Sequence, residues 1–407
     1  MRINKVQPLT SVELRTKVYW YGFIDYETDP ISFNYPMHRI LPVIDYDFSY
    51  PLMIYFWIGS ITPLETMMHS DSSYYNEKGL HIYLNEPMSS YLEDGIAKTN
   101  ELDSILIYVK NNNFTNVTVH TCDYKCDEIY SYYSEYMNLV TDDIFLRILH
   151  PLETTLKPDT FTKKFINLNR RFVLHRNFTA AYMANKSGYC SWNYTSNIDE
   201  LKSIYVNVEL LDSMVDGRLL EGLNYLNQHA PLIVDAPVTS AVHVDNPLAA
   251  NNPEYTTQLS SAEKYYADVF CAVETETVFL SPAANISEKI LRAIAYEKPF
   301  ILVGAVHSLE YLRSMGYKTF SDYWDESYDS ELDHTRRLAK IFKLIDHIDS
   351  MTIDELHDLY NSMRPVLEHN KQLLLERQPT VEFFKNLPVN SKLRQTLWVH
   401  HNRYYSK

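Results

Sequence analysis

Glycine is scarce, 9 residues in 407, and neither an internal repeat nor a low-complexity tract interrupts the chain, which excludes repeat arrays and biased linkers. Positive charge is also in short supply. Lys and Arg total 37 against 52 Asp and Glu, a formal charge of −15, so no global attraction to nucleic acid or an anionic membrane is expected. Any polyanionic partner must meet a local cluster of basic residues. The four cysteines are Cys122, Cys126, Cys190 and Cys271. His120, Cys122 and Cys126 stand close together, but no second ligand pair at zinc-site spacing follows, so free thiols in a reducing cytoplasm are expected and no metal. Residues 1–10 lack the apolar core of a secretory signal. The apolar run 50–64 contains Pro51 and Pro63 and is too short to span a bilayer, so a buried strand and no membrane association are expected. Without an export signal, the Asn-x-Ser/Thr triplets at Asn116, Asn193 and Asn285 carry no glycosylation meaning.

What the chain does have is length and apolar content. Hydrophobic residues make up 45% of it, enough for two cores. In the first half, strands are expected at 81–84 and 116–121 around a helix at 101–110. A connection is expected at 141–158, where a helix-like 143–150 meets Pro151 and Pro158. A second alternation follows: strands at 164–169, 268–273 and 299–303, with helices at 178–186, 287–296 and 308–315. From 332 to 378 the pattern is almost continuously helical, Pro365 being the strong interruption. Strands alternating with helices predict an α/β fold with parallel sheets. The expected division is an N-terminal domain over 1–150, a second over 151–385 carrying long C-terminal helices, and a tail over 386–407.

Two constellations carry chemistry. Glu274 and Glu276 follow the strand DVFCAV, and ligands of open α/β sheets bind outside the carboxyl ends of strands. Ser287 then reads as the N-cap of a helix whose first N–H groups face an anion, with Lys289 adding a full charge. Ser-Glu at a helix start is also ordinary capping chemistry. The second constellation, Asn169 to Arg176 (NRRFVLHR), is the densest basic run of an acidic chain. Guanidinium groups bind phosphate oxygens bidentately at any cellular pH. A solvated sheet edge is the plainer explanation of the same run.

The ordered set NRRFVLHR, VETET, SEKILRAIAYEKPFILVG, LRSMGYKTF and WDESYD, spanning about 165–345, resembles glycosyltransferases of tailed phages and large viruses. More distantly, the SEK helix is similar to the TEK segment of fucosyltransferases and the matching part of exostosin-like enzymes. Few glycines with 33 tyrosines and many asparagines suit the A/T-rich coding of many phages. The resemblance implies two Rossmann-like domains facing a cleft, the GT-B fold, and a UDP- or GDP-linked sugar as donor, with no permanently bound cofactor. It implies that Glu288 contacts the ribose and Lys289 the pyrophosphate. Arg171, with Arg176, would neutralise the leaving diphosphate, and Glu276 would lie near the donor sugar. The segment 282–285 before SEK departs from the pattern.

Such enzymes stabilise the leaving group with cationic side chains and a helix N-terminus, and no Asp-x-Asp pair stands in a suitable strand-end loop, so metal independence is expected. Inverting transfer also needs a base for the acceptor hydroxyl. Glu86 is the choice, although beside Pro87 it equally suits an exposed turn; His38, Asp45 and Asp123 are rivals. The favoured acceptor is a hydroxymethylated pyrimidine in phage DNA, for which Lys78, Lys98, Lys110 and Lys125 offer scattered positive charge. A glycan or protein acceptor is the alternative, and a binding protein without turnover the alternative of another class. The acidic stretch 324–329 suits a cleft loop or a solvated turn, and Tyr130, Tyr132, Tyr133 and Tyr136 suit ring stacking or packing.

Overall fold

The computed structural model describes residues 19–20, 52–55, 76–77, 79–84, 88, 90–141, 160–169, 172–192, 194, 205–232, 234 and 265–376. The apolar runs of the first half form β1 (Tyr19–Trp20), β2 (Leu52–Tyr55) and β3 (Leu80–Leu84). A hairpin of β4 (Ser90–Glu93) and β5 (Ile96–Thr99) turns through Asp94 and Gly95, both at positive φ, as a two-residue turn between twisted strands requires. Then come α1 (Asn100–Asn111), β6 (Val117–Thr121), α2 (Cys126–Ile129) and β7 (Asn138–Thr141). Thr99 caps α1, its hydroxyl accepting from the Leu102 N–H at 2.9 Å. The strands pair in the order β1-β2-β3-β6-β7, all parallel. Their core gathers Ile82, Ile105, Val119, Tyr130 and Tyr133. Tyr130 and Tyr133 are therefore packing residues, whereas Tyr132 is exposed.

The second half supplies β8 (Lys163–Leu168), α3 (Leu174–Met183), β9 (Gly188–Ser191), α4 (Val208–Met214), α5 (Arg218–His229) and β10 (Val269–Thr275). It continues with α6 (Glu288–Ala295), β11 (Phe300–Val303), α7 (Ser308–Ser314), α8 (His334–Ser350) and α9 (Ile353–Glu376). This sheet is also parallel, in the order β11-β10-β8-β9. The chain leaves β8 for β9 on one side and returns to β10 on the other, which makes the β8–β10 boundary a topological switch point. The α/β class with parallel sheets is thus present in both halves. Gly222 lets α5 close on α3, since a Cβ there would lie 2.1 Å from the Ala181 carbonyl oxygen.

Two expectations change. The helical stretch beyond 332 breaks at Met351 and Thr352, not at Pro365, which stays inside α9. A capping box starts α9: Thr352 N donates to Glu355 Oε2 at 2.7 Å while Glu355 N donates to Thr352 Oγ1 at 3.2 Å. Pro365 is exposed, so the carbonyl it strands can be hydrated. The acidic stretch 324–329 is only partly solvated, Asp325 and Ser327 being exposed while Trp324, Tyr328 and Asp329 are buried. Asp329 is buried and accepts from the Leu309 and Glu310 N–H groups at 2.7 and 2.9 Å, capping α7, while Glu326 accepts from the Phe320 N–H. The segment 281–285 packs against the first sheet: Tyr124 N donates to the Ala284 carbonyl at 2.8 Å, and Ala283 joins that sheet's core. Lys125 pairs with Glu310 at 2.7 Å, and Tyr124 stacks on Tyr311. Of the connection expected at 141–158, Thr141 ends β7 and residues 142–158 lie outside the described residues. No helix among the described residues is long and apolar enough to cross a membrane.

Candidate functional site

The switch point brings together the carboxyl ends of β8 and β10 and the amino end of α6. A polar ladder ties the strands there. The Thr275 hydroxyl donates to Asn169 Oδ1, Asn169 Nδ2 donates to Asn167 Oδ1 at 2.6 Å, and Asn167 Nδ2 donates to the Val273 carbonyl at 2.7 Å. On the β9 side, Asn169 N donates to Ser191 Oγ at 3.1 Å. Every member is buried, so the ladder satisfies backbone and side-chain groups that water does not reach.

Glu276 is the first residue past β10 and is buried. Its carboxylate accepts from Ser287 N at 2.9 Å and from Ser287 Oγ at 2.5 Å. Ser287 is the N-cap of α6, and its hydroxyl accepts from Lys289 Nζ at 2.9 Å. Lys289 Nζ stands 3.8 Å from Glu276 Oε2. Gly304 makes room for Ser308, since a Cβ there would lie 2.8 Å from Ser308 Oγ, and it faces Glu276 Cγ at ordinary contact distance, 3.6 Å. Glu288 is the first residue of α6, and its side chain lies outside the described residues.

Helix α3 begins at Leu174, earlier than the expected 178, so His175 and Arg176 sit in its first turn and are buried. Arginine at a helix N-terminus opposes the dipole. Here it is turned onto acceptors: Arg176 donates to the Glu276 carbonyl at 3.2 Å, the Thr275 carbonyl at 3.3 Å and Thr277 Oγ1 at 3.1 Å. Arg176 therefore braces the end of β10 while bringing positive charge to it. His175 Nε2 meets the same Glu276 carbonyl at 2.8 Å, and its ring stacks on Phe279. Burial pushes the His175 imidazole down to about 3, helped by the nearby charges of Arg176, Arg337 and Lys289, so it is neutral at physiological pH.

Arg337, on α8, is a buried cation near this site that the sequence analysis did not single out. It lies over the Phe279 ring at 4.3 Å, donates to the Phe279 carbonyl at 2.5 Å and to the Glu331 carbonyl at 2.8 Å. Burial lowers it to about 10, which leaves it charged at neutral pH. The signal was available: Arg337 shares a helical stripe with Ile341 and Ile345, and a cation on an apolar stripe must find partners.

Glu274 is corrected. It stands within β10, not past its end, and is buried beneath α6. Tyr266 OH donates to its Oε1 at 2.6 Å and Arg292 lies 3.7 Å away, so the carboxylate braces α6 against the sheet from inside. Burial raises its protonation range despite the opposing charge of Arg292.

Arg170, Arg171, Glu86, His38, Asp45 and Lys78 lie outside the described residues. Asp123 follows β6, is 1% exposed, and accepts from Tyr130 OH and Met88 N at 3.4 Å each. Burial pushes its carboxyl up to about 8, so at neutral pH it holds a proton and suits a buried donor better than a base. Lys98 pairs with Glu93, Lys125 with Glu310, and Lys110 lies over the Tyr136 ring. Cys122, Cys126 and Cys271 are buried free thiols, and among the described residues no cluster of His, Cys, Asp and Glu could hold a metal ion. In the comparisons with known proteins, no family model, no curated protein and no solved structure matches this chain.

Proposed function

We propose that this chain is an inverting, metal-independent glycosyltransferase of the GT-B type, using a UDP- or GDP-linked sugar and two Rossmann-like domains, about 1–150 and 151–385. The observation that carries the reading is the placement of Arg176 and Lys289 at the carboxyl end of β10 beside the amino end of α6, Arg176 on the Glu276 carbonyl and Lys289 on Ser287 Oγ, 3.8 Å from the Glu276 carboxylate. Cations and a helix N-terminus at a switch point suit a diphosphate. In the reaction the bond between the anomeric carbon and the diphosphate oxygen breaks, and the acceptor hydroxyl oxygen bonds that carbon. The hydroxyl proton passes to a base, for which Glu86 is proposed. The electron pair stays on the diphosphate, where Arg171, Lys289 and the α6 N–H groups stabilise it. Glu276, fixed by Ser287, is assigned to hydroxyls of the donor sugar, and Glu288 to the ribose.

The acceptor proposed is a hydroxymethylated pyrimidine in DNA. A glycan or protein acceptor is favoured by one observation: Lys98 and Lys125 are spent on carboxylates instead of lining a path for DNA. The donor site is tested by calorimetric titration of UDP and GDP into the parent and into Lys289→Ala and Arg171→Ala. Each variant is expected to stay folded and bind about 30-fold more weakly, about 2 kcal/mol, with Lys289→Ala also melting lower because buried Glu276 loses its cation. Binding equal to the parent in both variants would remove the proposed site.

A further inference from the structure

Past the ends of β8 and β9, on the same sheet edge as Glu276, stands a cluster of three aromatic rings. Trp192 is buried and fixed by a backbone bridge to Leu232, with Trp192 N donating at 3.0 Å and Leu232 N returning the bond at 2.7 Å. Upon it rest Phe172, with ring centroids 5.9 Å apart, and Tyr194, at 5.2 Å. Phe172 and Tyr194 meet edge to face at 5.6 Å and 78°. Unlike Trp192, they are open to solvent, 45% and 36% exposed. Two adjoining, partly exposed rings seated on a buried third offer a flat apolar face of the kind a planar ligand can cover.

We propose that Phe172 and Tyr194 form the stacking platform for the nucleobase of the donor. This rests on the nucleoside-diphosphate reading above and adds the place and chemistry of base recognition. Position supports it. Phe172 lies three residues from Asn169, which bonds Thr275, and four from Arg176, which bonds Glu276, so the platform is tied at both ends to the diphosphate site. From β10 to the β8–β9 edge is one to two strand spacings of about 4.8 Å, a span for the ribose and phosphates to bridge. A ring face stacks on any base, so the platform would serve uracil and guanine alike, with specificity left to other contacts.

Titration of UDP, GDP and inorganic pyrophosphate into the parent, Phe172→Ala, Tyr194→Ala and Phe172→Trp tests this. The parent is expected to bind the nucleotides more tightly than pyrophosphate. The two alanine variants should bind the nucleotides about tenfold more weakly and pyrophosphate as the parent does, and Phe172→Trp should restore nucleotide affinity. If the parent binds nucleotides and both alanine variants match it, the platform is wrong and the donor site stands. Equal losses for pyrophosphate and nucleotide would also overturn it, by showing a general disturbance of the sheet edge. A parent that binds neither ligand would overturn the donor reading and the platform together.

Discussion

Replacing Arg292 with methionine is expected to destabilise the fold by about 3 to 5 kcal/mol, the usual cost of leaving a buried charge without its partner. Arg292 and Glu274 face each other at 3.7 Å between α6 and β10, both buried, and the Arg292 guanidinium also lies over the Tyr266 ring. Burial already holds Glu274 above the usual carboxylate range with Arg292 opposing it. Without Arg292 the carboxyl must take a proton or stay charged in an apolar setting. The double variant Arg292→Met with Glu274→Gln should recover most of the loss, because the amide still accepts from Tyr266 and no charge remains. Denaturant titration of the parent, both single variants and the double variant reads the coupling directly. A single Arg292→Met variant as stable as the parent would show that the pair does not brace α6.

Asp123 predicts the second large effect, in the pH dependence of stability. Its folded carboxyl is raised to about 8, against an ordinary 3.8, by burial first, with the Glu101 charge adding and the Met88 and Tyr130 bonds opposing. A carboxyl raised on folding keeps its proton in the folded chain while the unfolded chain releases it. The contribution is intact below about 4 and is lost as pH climbs to about 8, at about 1.4 kcal/mol per pH unit, on the order of 5 kcal/mol in all. Asp123→Asn removes that ionisation and keeps a donor. It should therefore melt well above the parent at pH 8 and match it near pH 4. Equal pH profiles for the two proteins would mean that Asp123 is hydrated in the folded chain.

Much of this arrangement was legible in the sequence, and the limits have physical reasons. The strand at 299–303 was readable because a parallel strand buried on both faces shows as an unbroken apolar run, and those around 81–84 and 164–169 because short apolar-rich segments alternate with helical ones. The Ser287 cap was readable because capping is local. Glu274 was placed past the strand because carboxylates rarely enter a core, and its partner Arg292 is contributed by the next helix. The start of α3 was placed late because a basic run suggests a surface, while its acceptors are carbonyls about a hundred residues away. Arg337 and the Phe172–Tyr194 platform depend on tertiary juxtaposition that no local pattern records. The break before α9 was legible in principle, since Thr352 and Glu355 spell a capping box, but Pro365 is the louder signal.

Transfer from a nucleotide sugar is read by following donor and acceptor in one reaction. The full chain is incubated with UDP- and GDP-linked sugars and duplex DNA containing hydroxymethylcytosine, in excess EDTA, and both free nucleoside diphosphate and digested nucleosides are analysed by mass spectrometry. Release of UDP or GDP from at least one donor without added metal is expected, together with a hexose or pentose mass on the modified base. Donor turnover with no DNA product would move the acceptor to a glycan or protein, and activity that Mg²⁺ or Mn²⁺ alone restores would overturn the metal-independent mechanism. No nucleotide released from any donor, with or without metal, would contradict the assignment as a glycosyltransferase.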